Sequence, residues 1–318
     1  MTAYIIRRLL QALLVIILVT MLVFFLVHQL PGDPVMMYMT QQQYNSVTAE
    51  ELEKTRHELG LDRPIPVQYI DWLSRIVRGD LGKSLLQKTQ VSDLIGVALP
   101  ISLYLGLLSF LVSNIIAIPV GVLCAVRRGK WIDTLLTVLA NIGITLPTFW
   151  VGILLIYMFA LWLHWLPTHG YTPPWEDFWM SIKQAIMPVF CLSLFPLSAT
   201  VRQTRSAMLE VISQDYMRTA WSKGLNEKSV VIRHALKNGL IPVLTLAGLN
   251  VSLIFGGQVL IEIVFSVPGM GYTAVRALLA RDYAIVQGVV LVIATAVVLT
   301  NLLVDISYGW LDPRVKYN

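Results

Sequence analysis

The polar and basic stretch that differs most from its surroundings is Asp215-Tyr216-Met217-Arg218-Thr219-Ala220-Trp221-Ser222-Lys223-Gly224-Leu225. It belongs to a loop, residues 202–238, that holds seven Lys/Arg against three Asp/Glu between segments nearly free of charge. In membrane proteins, loops rich in positive charge are retained in the cytoplasm. We therefore expect this loop to be cytoplasmic, and its length and helical pattern favour contact with a cytosolic partner.

The composition is that of a membrane protein. Of the 318 residues, 56% are hydrophobic and 14% are charged, whereas soluble domains carry roughly 25% charged residues. The net charge of +5 would suit nucleic acid or anionic lipid, but its placement indicates membrane orientation, and we expect no nucleic-acid partner. Cys124 and Cys191 fall in apolar runs, which predicts small packing residues rather than a disulfide.

Stretches long enough to cross about 30 Å of hydrocarbon recur along the chain. The six predicted spans are residues 9–30, 101–125, 132–163, 185–201, 240–266 and 286–309. The first follows Arg7-Arg8 and is interpreted as an uncleaved span, and the fourth is short, bounded by Pro188 and Pro196. The sequence thus predicts an all-α polytopic membrane protein with six transmembrane helices.

The distribution of basic residues predicts the orientation. The N-terminal end, the turn at 127–130, the 202–238 loop and the tail hold 14 of the 24 Lys/Arg, against three in the loops 164–184 and 267–285. Both termini are therefore expected in the cytoplasm, with the bilayer as the solvent of the spans. The resulting division is a cytoplasmic end with the first span (1–30), an extracytoplasmic segment (31–100), a five-span core (101–309) and a cytoplasmic tail (310–318).

The 31–100 segment is expected to form a small helical cap outside the membrane. Thr48-Ala49-Glu50-Glu51 has capping-box spacing, and Gly60 is expected to stop that helix after Leu59. A second amphipathic helix is predicted from Pro66 to Arg78. Its apolar face would carry Ile70, Leu73 and Val77, and Gly79 would end it.

Several local patterns resemble catalytic or metal sites without meeting their requirements. Gly82-Lys83-Ser84 resembles the end of a phosphate-binding loop, but Val77 stands where that loop needs its first Gly. The five histidines show no metal-ligand spacing, so no metal site is expected in this chain. An intramembrane enzyme or a receptor subunit remains the alternative class, although no local nucleophile motif supports it.

Polar residues inside the spans leave two interpretations open. These residues are Asn114, Asn141, Asn250, Asn301, Glu262 and Asp305. They either form hydrogen bonds between helices and reach toward the span ends, or line a translocation path. Gly248, Ser252 and Gly256 recur at helical spacing and permit close approach of another helix.

A resemblance to a known family extends along the whole chain. The matching blocks are His28-Gln29-Leu30-Pro31-Gly32-Asp33-Pro34, Gly79-Asp80-Leu81-Gly82-Lys83-Ser84, Leu146-Pro147-Thr148-Phe149-Trp150, Asp215-Tyr216-Met217-Arg218-Thr219-Ala220, Arg233-His234-Ala235-Leu236-Lys237-Asn238, Val264-Phe265-Ser266-Val267-Pro268-Gly269-Met270-Gly271 and Leu311-Asp312-Pro313-Arg314. Together they resemble the inner-membrane permeases of dipeptide, oligopeptide and nickel ABC importers.

The match to the general importer motif has two departures. Arg218-Thr219-Ala220 stands where that motif has Glu-Ala-Ala, with Gly224 in place, and Pro242 lies 18 residues after Gly224. Both departures are similar to the peptide and nickel branch. Val267 and Ala284 depart from that branch, which leaves substrate-side detail open.

The resemblance implies a transport subunit rather than an enzyme. It implies one half of a transmembrane heterodimer in a bacterial or archaeal inner membrane, with a homologous second permease, two ATP-binding subunits and an extracytoplasmic solute-binding protein. ATP and Mg²⁺ would bind to the partner subunits, with no cofactor in this chain. A peptide is the implied substrate, and nickel, a metal chelate or another small solute is the alternative.

The stretch 215–225 is implied to couple this chain to an ATP-binding subunit. The coupling residues are Asp215, Tyr216, Met217, Arg218, Thr219, Ala220, Lys223, Gly224 and Leu225. We expect a short helix whose face of Tyr216, Met217 and Ala220 docks on the partner, with Lys228 at the polar rim. Gly224 would end the helix in a turn with positive φ.

Overall fold

The structure is a computed structural model that describes residues 2–29, 53–54, 56–57, 60–84, 86–222, 224, 226–256 and 258–311. Its main helices are α1 (Thr2–His28), α2 (Ile65–Val77), α3 (Val91–Val126), α4 (Trp131–Thr145), α5 (Thr148–Leu155), α6 (Phe178–Ile212), α7 (Asp215–Ser222), α8 (Glu227–Ser229), α9 (Lys237–Val251), α10 (Leu253–Gly256), α11 (Val259–Val264), α12 (Met270–Leu279) and α13 (Tyr283–Leu311). Two π-helical segments are π1 (Ile156–Trp162) and π2 (Val230–Leu236). Within these residues no strand forms, and an isolated antiparallel bridge joins Lys83 to Gln90.

The structure has five or six membrane spans, against the six that the sequence predicts. Five helical stretches are long and apolar enough to cross a bilayer: Ile6–His28, Val91–Val126, Phe178–Ile212, Glu227–Val251 and Tyr283–Ile306. The pair Trp131–Thr145 and Thr148–Trp162 makes a sixth span if it is counted as one, with a bend of 103°. The chain is therefore an all-α protein of the polytopic membrane class.

The third span differs from the continuous helix expected over 132–163. Helix α4 ends at Thr145, Leu146 is extended with ψ 131°, and α5 begins after Pro147. A proline disfavours helical backbone in the residue before it and cannot donate a hydrogen bond. The Leu146-Pro147 pair thus divides the span into two helices.

The fourth span is longer than the predicted range 185–201. Helix α6 has 35 residues and passes through both Pro188 and Pro196, which are buried. It begins at Asp177, whose side chain accepts a hydrogen bond of 2.9 Å from the Met180 N–H. Prolines are tolerated inside membrane helices because neighbouring helices satisfy the freed backbone groups. The first eleven residues of the expected 202–238 loop therefore continue this helix.

The fifth span is also less regular than the predicted range 240–266. Helix α9 ends at Val251, and the short helices α10 and α11 follow it. Glu262 on α11 is fully buried and accepts a hydrogen bond of 2.5 Å from the Ser102 hydroxyl on α3. This contact supports hydrogen bonding between helices as the role of Glu262.

The described residues fall into two compact units. The first contains the chain up to Ile101 together with Pro268–Leu302. In it α2 packs through Tyr69 and Trp72 against Phe24 and Leu291, and the Tyr69 and Thr20 hydroxyls lie 2.9 Å apart. Of the predicted apolar face of α2, Leu73 packs against this cluster. The prediction was wrong for Ile70 and Val77, which are exposed, because the larger aromatic rings take the buried side.

The turns predicted around α2 are partly observed. Gly79 follows the helix with φ +83°, and Gly60 has φ +68°. Both are values that glycine adopts without a steric cost. The proposed cap at Thr48-Ala49-Glu50-Glu51 and Leu59 lie outside the described residues.

The second unit contains Ser102–Val267 and the end of α13. Its helices approach closely at glycines: a Cβ on Gly121 of α3 would lie 2.5 Å from the Thr204 Cβ of α6, and one on Gly143 of α4 would meet the Ser198 hydroxyl. Close backbone approach through small residues is typical of membrane helix pairs. Cys124 and Cys191 are buried and free, as predicted.

Candidate functional site

The predicted coupling residues form a short helix at the end of α6. Helix α7 begins two residues after the α6 cap at Ser213, and the Met217 N–H donates to the Gln214 carbonyl at 3.0 Å. Asp215 opens the helix, where a carboxylate favours the positive end of the helix dipole. The side chain of Asp215 lies 3.4 Å from the Arg218 guanidinium.

The inward face of α7 docks on its own chain. Met217 and Ala220 are buried in a cluster with Ala125 of α3, Met208 of α6, and Val230, Val231 and Ala235 of π2. Gly239 of α9 packs on the same Met208, because a Cβ there would lie 2.8 Å from the Met208 sulfur. Helix α7 therefore packs against the ends of the membrane helices α3 and α6 and against π2, which leads into α9.

The outward face is polar with an aromatic residue at each edge. Its centre carries Asp215, Arg218, Thr219 and Ser222, all exposed. Tyr216 is 43% exposed and accepts a hydrogen bond of 2.8 Å from the Asn238 amide, and Trp221 on the other edge is 40% exposed. Another protein could contact these exposed residues of α7, but not Met217 and Ala220, which are buried.

The expected docking face is thereby corrected. Tyr216, Met217, Ala220 and Trp221 form one apolar stripe on the helix, because 3.6 residues make a turn. The sequence does not tell which part of that stripe the chain itself covers. The structure buries the centre of the stripe and leaves both edges outside, so Met217 and Ala220 hold the helix in place.

Gly224 has the conformation expected for the end of α7. Its φ is +73°, and its N–H donates to the Trp221 carbonyl at 2.9 Å. A Cβ added to Gly224 would meet nothing within 4 Å, so the backbone, not space, requires glycine here. The neighbouring coupling residues Lys223 and Leu225 lie outside the described residues. Asn226 then caps α8 by accepting a hydrogen bond from the Ser229 N–H.

An ion pair between a buried carboxylate and a partly exposed guanidinium joins two helices behind α7. Arg205 of α6 donates two hydrogen bonds to Asp133 of α4, at 2.7 Å and 2.9 Å. Asp133 also accepts from the Gly129 N–H at 3.0 Å and from the Thr137 hydroxyl at 3.3 Å. The pair thus fixes the α3–α4 turn to α6 about two turns before α6 ends at Ile212.

This pair was not among the residues predicted from the sequence. The available signal was an acid directly after a basic turn and an Arg at the end of a span, because an ionised group near a span is costly unless it is partnered. Trp221 was also missing from the predicted coupling residues. Among the described residues, no group of three or more His, Cys, Asp or Glu side chains is placed to hold a metal ion.

Comparison with known protein families identifies the chain. Residues 117–317 match the family of binding-protein-dependent transport system inner membrane components, and residues 1–106 match the N-terminal family of the same membrane components. The chain belongs to this permease family. It is therefore a transport permease and a multi-pass protein of the inner membrane, a component of a transporter with other subunits.

Similar proteins span the full length of the chain. A protein of Brucella abortus named as a peptide transport system permease is 42% identical over 318 residues, with 100% of both chains covered. The oligopeptide transport system permease protein AppB of Bacillus subtilis is 38% identical over 320 residues, again with 100% of both covered.

A solved structure shows the same fold. A chain of the inward-facing MetNI methionine ABC transporter matches 69% of this permease and 95% of its own length. The TM-score is 0.51 at 16% sequence identity, so the likeness concerns the fold alone.

Proposed function

We propose that this permease forms half of the translocation pathway of an ATP-driven peptide importer. The other half would be a homologous permease, and the assembly would include two ATP-binding subunits and an extracytoplasmic solute-binding protein. Peptide as substrate is supported by the names of relatives that match from end to end. ATP and Mg²⁺ would be bound by the partner subunits, which carry out the hydrolysis.

Helix α7 is the proposed contact with an ATP-binding subunit. The observation that carries this assignment is the division of α7 into a face buried on α3, α6 and π2 and an exposed face with Tyr216 and Trp221 at its edges. A helix held this way moves with the segments beneath it. Closure of the ATP-binding subunits would then shift these segments as rigid bodies.

The proposed orientation places α7 and both chain termini in the cytoplasm. The basic residues of 202–238 and of the 127–130 turn support this orientation, since such charge is retained inside. The contact surface of α7 then faces the compartment that supplies ATP.

Loss of an aromatic edge tests this contact. We expect Tyr216→Ala and Trp221→Ala each to release the ATP-binding subunits from the detergent-solubilised complex, because a well-placed aromatic anchor is typically worth more than ~2 kcal/mol, about 30-fold in affinity. Lys228→Ala is the matched control, because Lys228 is exposed and an exposed charge contributes about 0–1 kcal/mol.

Co-purification of the ATP-binding subunits with an affinity-tagged permease is the measurement, at equal amounts of permease in the membrane. Retention of these subunits by both aromatic variants would exclude this face of α7 as the contact. A greater loss with Lys228→Ala would instead place the contact on α8.

A further inference from the structure

A partly open cavity of about 90 Å³ lies within the second unit, at the mid-length of the membrane helices. Ser109 lines it near the middle of the 36-residue α3, and Leu192 and Pro196 line it near the middle of the 35-residue α6. Asn250 of α9 and Gln258, just before α11, complete its polar wall with Thr148. One water needs only ~10–15 Å³, so the cavity has room for a larger group.

Two polar atoms in this wall have no hydrogen-bond partner among the residues that the structure describes. Asn250 is 7% exposed and Gln258 is 3% exposed, and the Asn250 Nδ2 and the Gln258 Oε1 are both buried and unpaired. The Gln258 Nε2 donates to the Ile254 carbonyl, which fixes the amide so that its oxygen is the free group. One unused donor and one unused acceptor therefore lie in the side chains that line this cavity.

The backbone adds a further acceptor. In a regular helix the N–H of residue 196 donates to the carbonyl of residue 192. Pro196 has no N–H, so the Leu192 carbonyl lacks this hydrogen bond. The Ser109 hydroxyl already donates to the Gly106 carbonyl at 2.8 Å and keeps its acceptor capacity. Acceptors thus outnumber donors around the unpaired amides.

Two helix interruptions meet at the same cavity. Thr148 begins α5 after the break at Leu146-Pro147, and Gln258 lies between α10 and α11. Interrupted helices at membrane depth are tolerated where they line a cavity, and unpaired buried amides are costly unless something satisfies them. Two interruptions and two unpaired amides thus meet at one cavity.

We propose that this cavity binds the main-chain amide of a transported peptide. The Asn250 Nδ2 donates to the peptide carbonyl, and the Gln258 Oε1 accepts from the peptide N–H. Such a contact recognises any peptide bond regardless of the side chains that flank it. The assignment rests on the proposed function of peptide import, and it adds a substrate contact within the permease itself.

Uptake of a peptide and of its ester analogue tests the site in cells that carry the complete transporter. The probes are radiolabelled tri-alanine and the analogue in which ester linkages replace both peptide bonds, so that the N–H donors are absent. The measured quantity is the ratio of initial uptake rates, tri-alanine over ester. Discrimination by a binding protein is common to all variants and cancels when their ratios are compared.

Gln258→Met removes the acceptor and is expected to lower this ratio about 2- to 10-fold, the effect of one neutral hydrogen bond. Asn114→Leu is the matched control: the Asn114 Oδ1 is also buried and unpaired, but it does not line the cavity. An unchanged ratio in Gln258→Met would overturn the proposal and assign the cavity to bound water.

A second measurement does not depend on the folding of the Gln258 variant. In a chain lacking Cys124 and Cys191, Ser109→Cys should react with a small thiol reagent more slowly in the presence of tri-alanine than of the ester. Equal reaction rates would overturn the site. Failure of the unaltered transporter to take up tri-alanine, dialanine and penta-alanine would instead overturn the proposed peptide import, and the site with it.

Discussion

Replacing Arg205 with Met removes both donors of the ion pair with Asp133 but keeps a long apolar side chain. A buried carboxylate that loses its partner destabilises a protein by about 3–5 kcal/mol. Here the Gly129 N–H and the Thr137 hydroxyl still donate to Asp133, and each such bond contributes about 1 kcal/mol. We therefore expect Arg205→Met to lower the free energy of unfolding by about 2 kcal/mol.

The reciprocal change should be milder. The Asp133 side chain is 5% exposed but that of Arg205 is 29% exposed, so water can solvate the guanidinium left behind by Asp133→Asn. An ion pair with solvent access contributes about 0–1 kcal/mol. We expect Asp133→Asn to lower the free energy of unfolding by this amount. The double variant removes both charges and should lie within about 1 kcal/mol of the unaltered protein.

The assay is equilibrium unfolding of the purified permease in mixed micelles of non-ionic detergent and SDS, followed by tryptophan fluorescence. The expected order of stability is unaltered protein, Asp133→Asn, then Arg205→Met, with the double variant above Arg205→Met. If Asp133→Asn is the more damaging single change, the burial argument is wrong. If the losses simply add in the double variant, the two groups do not act as a pair.

Two further changes test the turn after α7 and the contact of α3 with α6. Gly224→Val should abolish substrate-stimulated ATP hydrolysis of the assembled complex, because a β-branched residue resists φ +73°. Gly224→Asn should retain most of this hydrolysis, because asparagine tolerates that conformation. Equal activities of the two variants would refute the reasoning. Gly121→Ala should lower the free energy of unfolding by about 1–3 kcal/mol, because the added Cβ would lie 2.8 Å from the Val201 carbonyl oxygen. Gly96→Ala in the same helix should be neutral, because a Cβ there meets nothing within 4 Å. Similar losses of stability in both variants would contradict a packing effect.

The number and type of the membrane helices followed from the sequence because long apolar runs have few alternatives in a bilayer. The helix boundaries did not. Pro188 and Pro196 were interpreted as ends of a span, yet α6 continues through both, whereas Leu146-Pro147 interrupts a run that reads as continuous. Whether a proline interrupts a membrane helix depends on the neighbouring helices, which a single sequence does not display.

The candidate site was predictable in position but not in orientation. The segment 215–225 and the positive φ of Gly224 followed from local pattern and turn chemistry. The inward role of Met217 depends on Ala125, Met208 and Val230, which are distant in sequence or follow a turn. The unpaired amides of Asn250 and Gln258 likewise become visible only when four separate stretches of the chain surround one cavity.

The two faces of α7 are under different constraints during evolution. Substitutions at Met217 or Ala220 change buried packing and therefore the stability of the permease, whereas those at Tyr216, Arg218 or Trp221 change an exposed surface. The outer residues can therefore diverge between duplicated transporters without unfolding either copy. Grafting these few positions from one permease onto another offers a route to exchange the ATP-binding subunit that a transporter accepts.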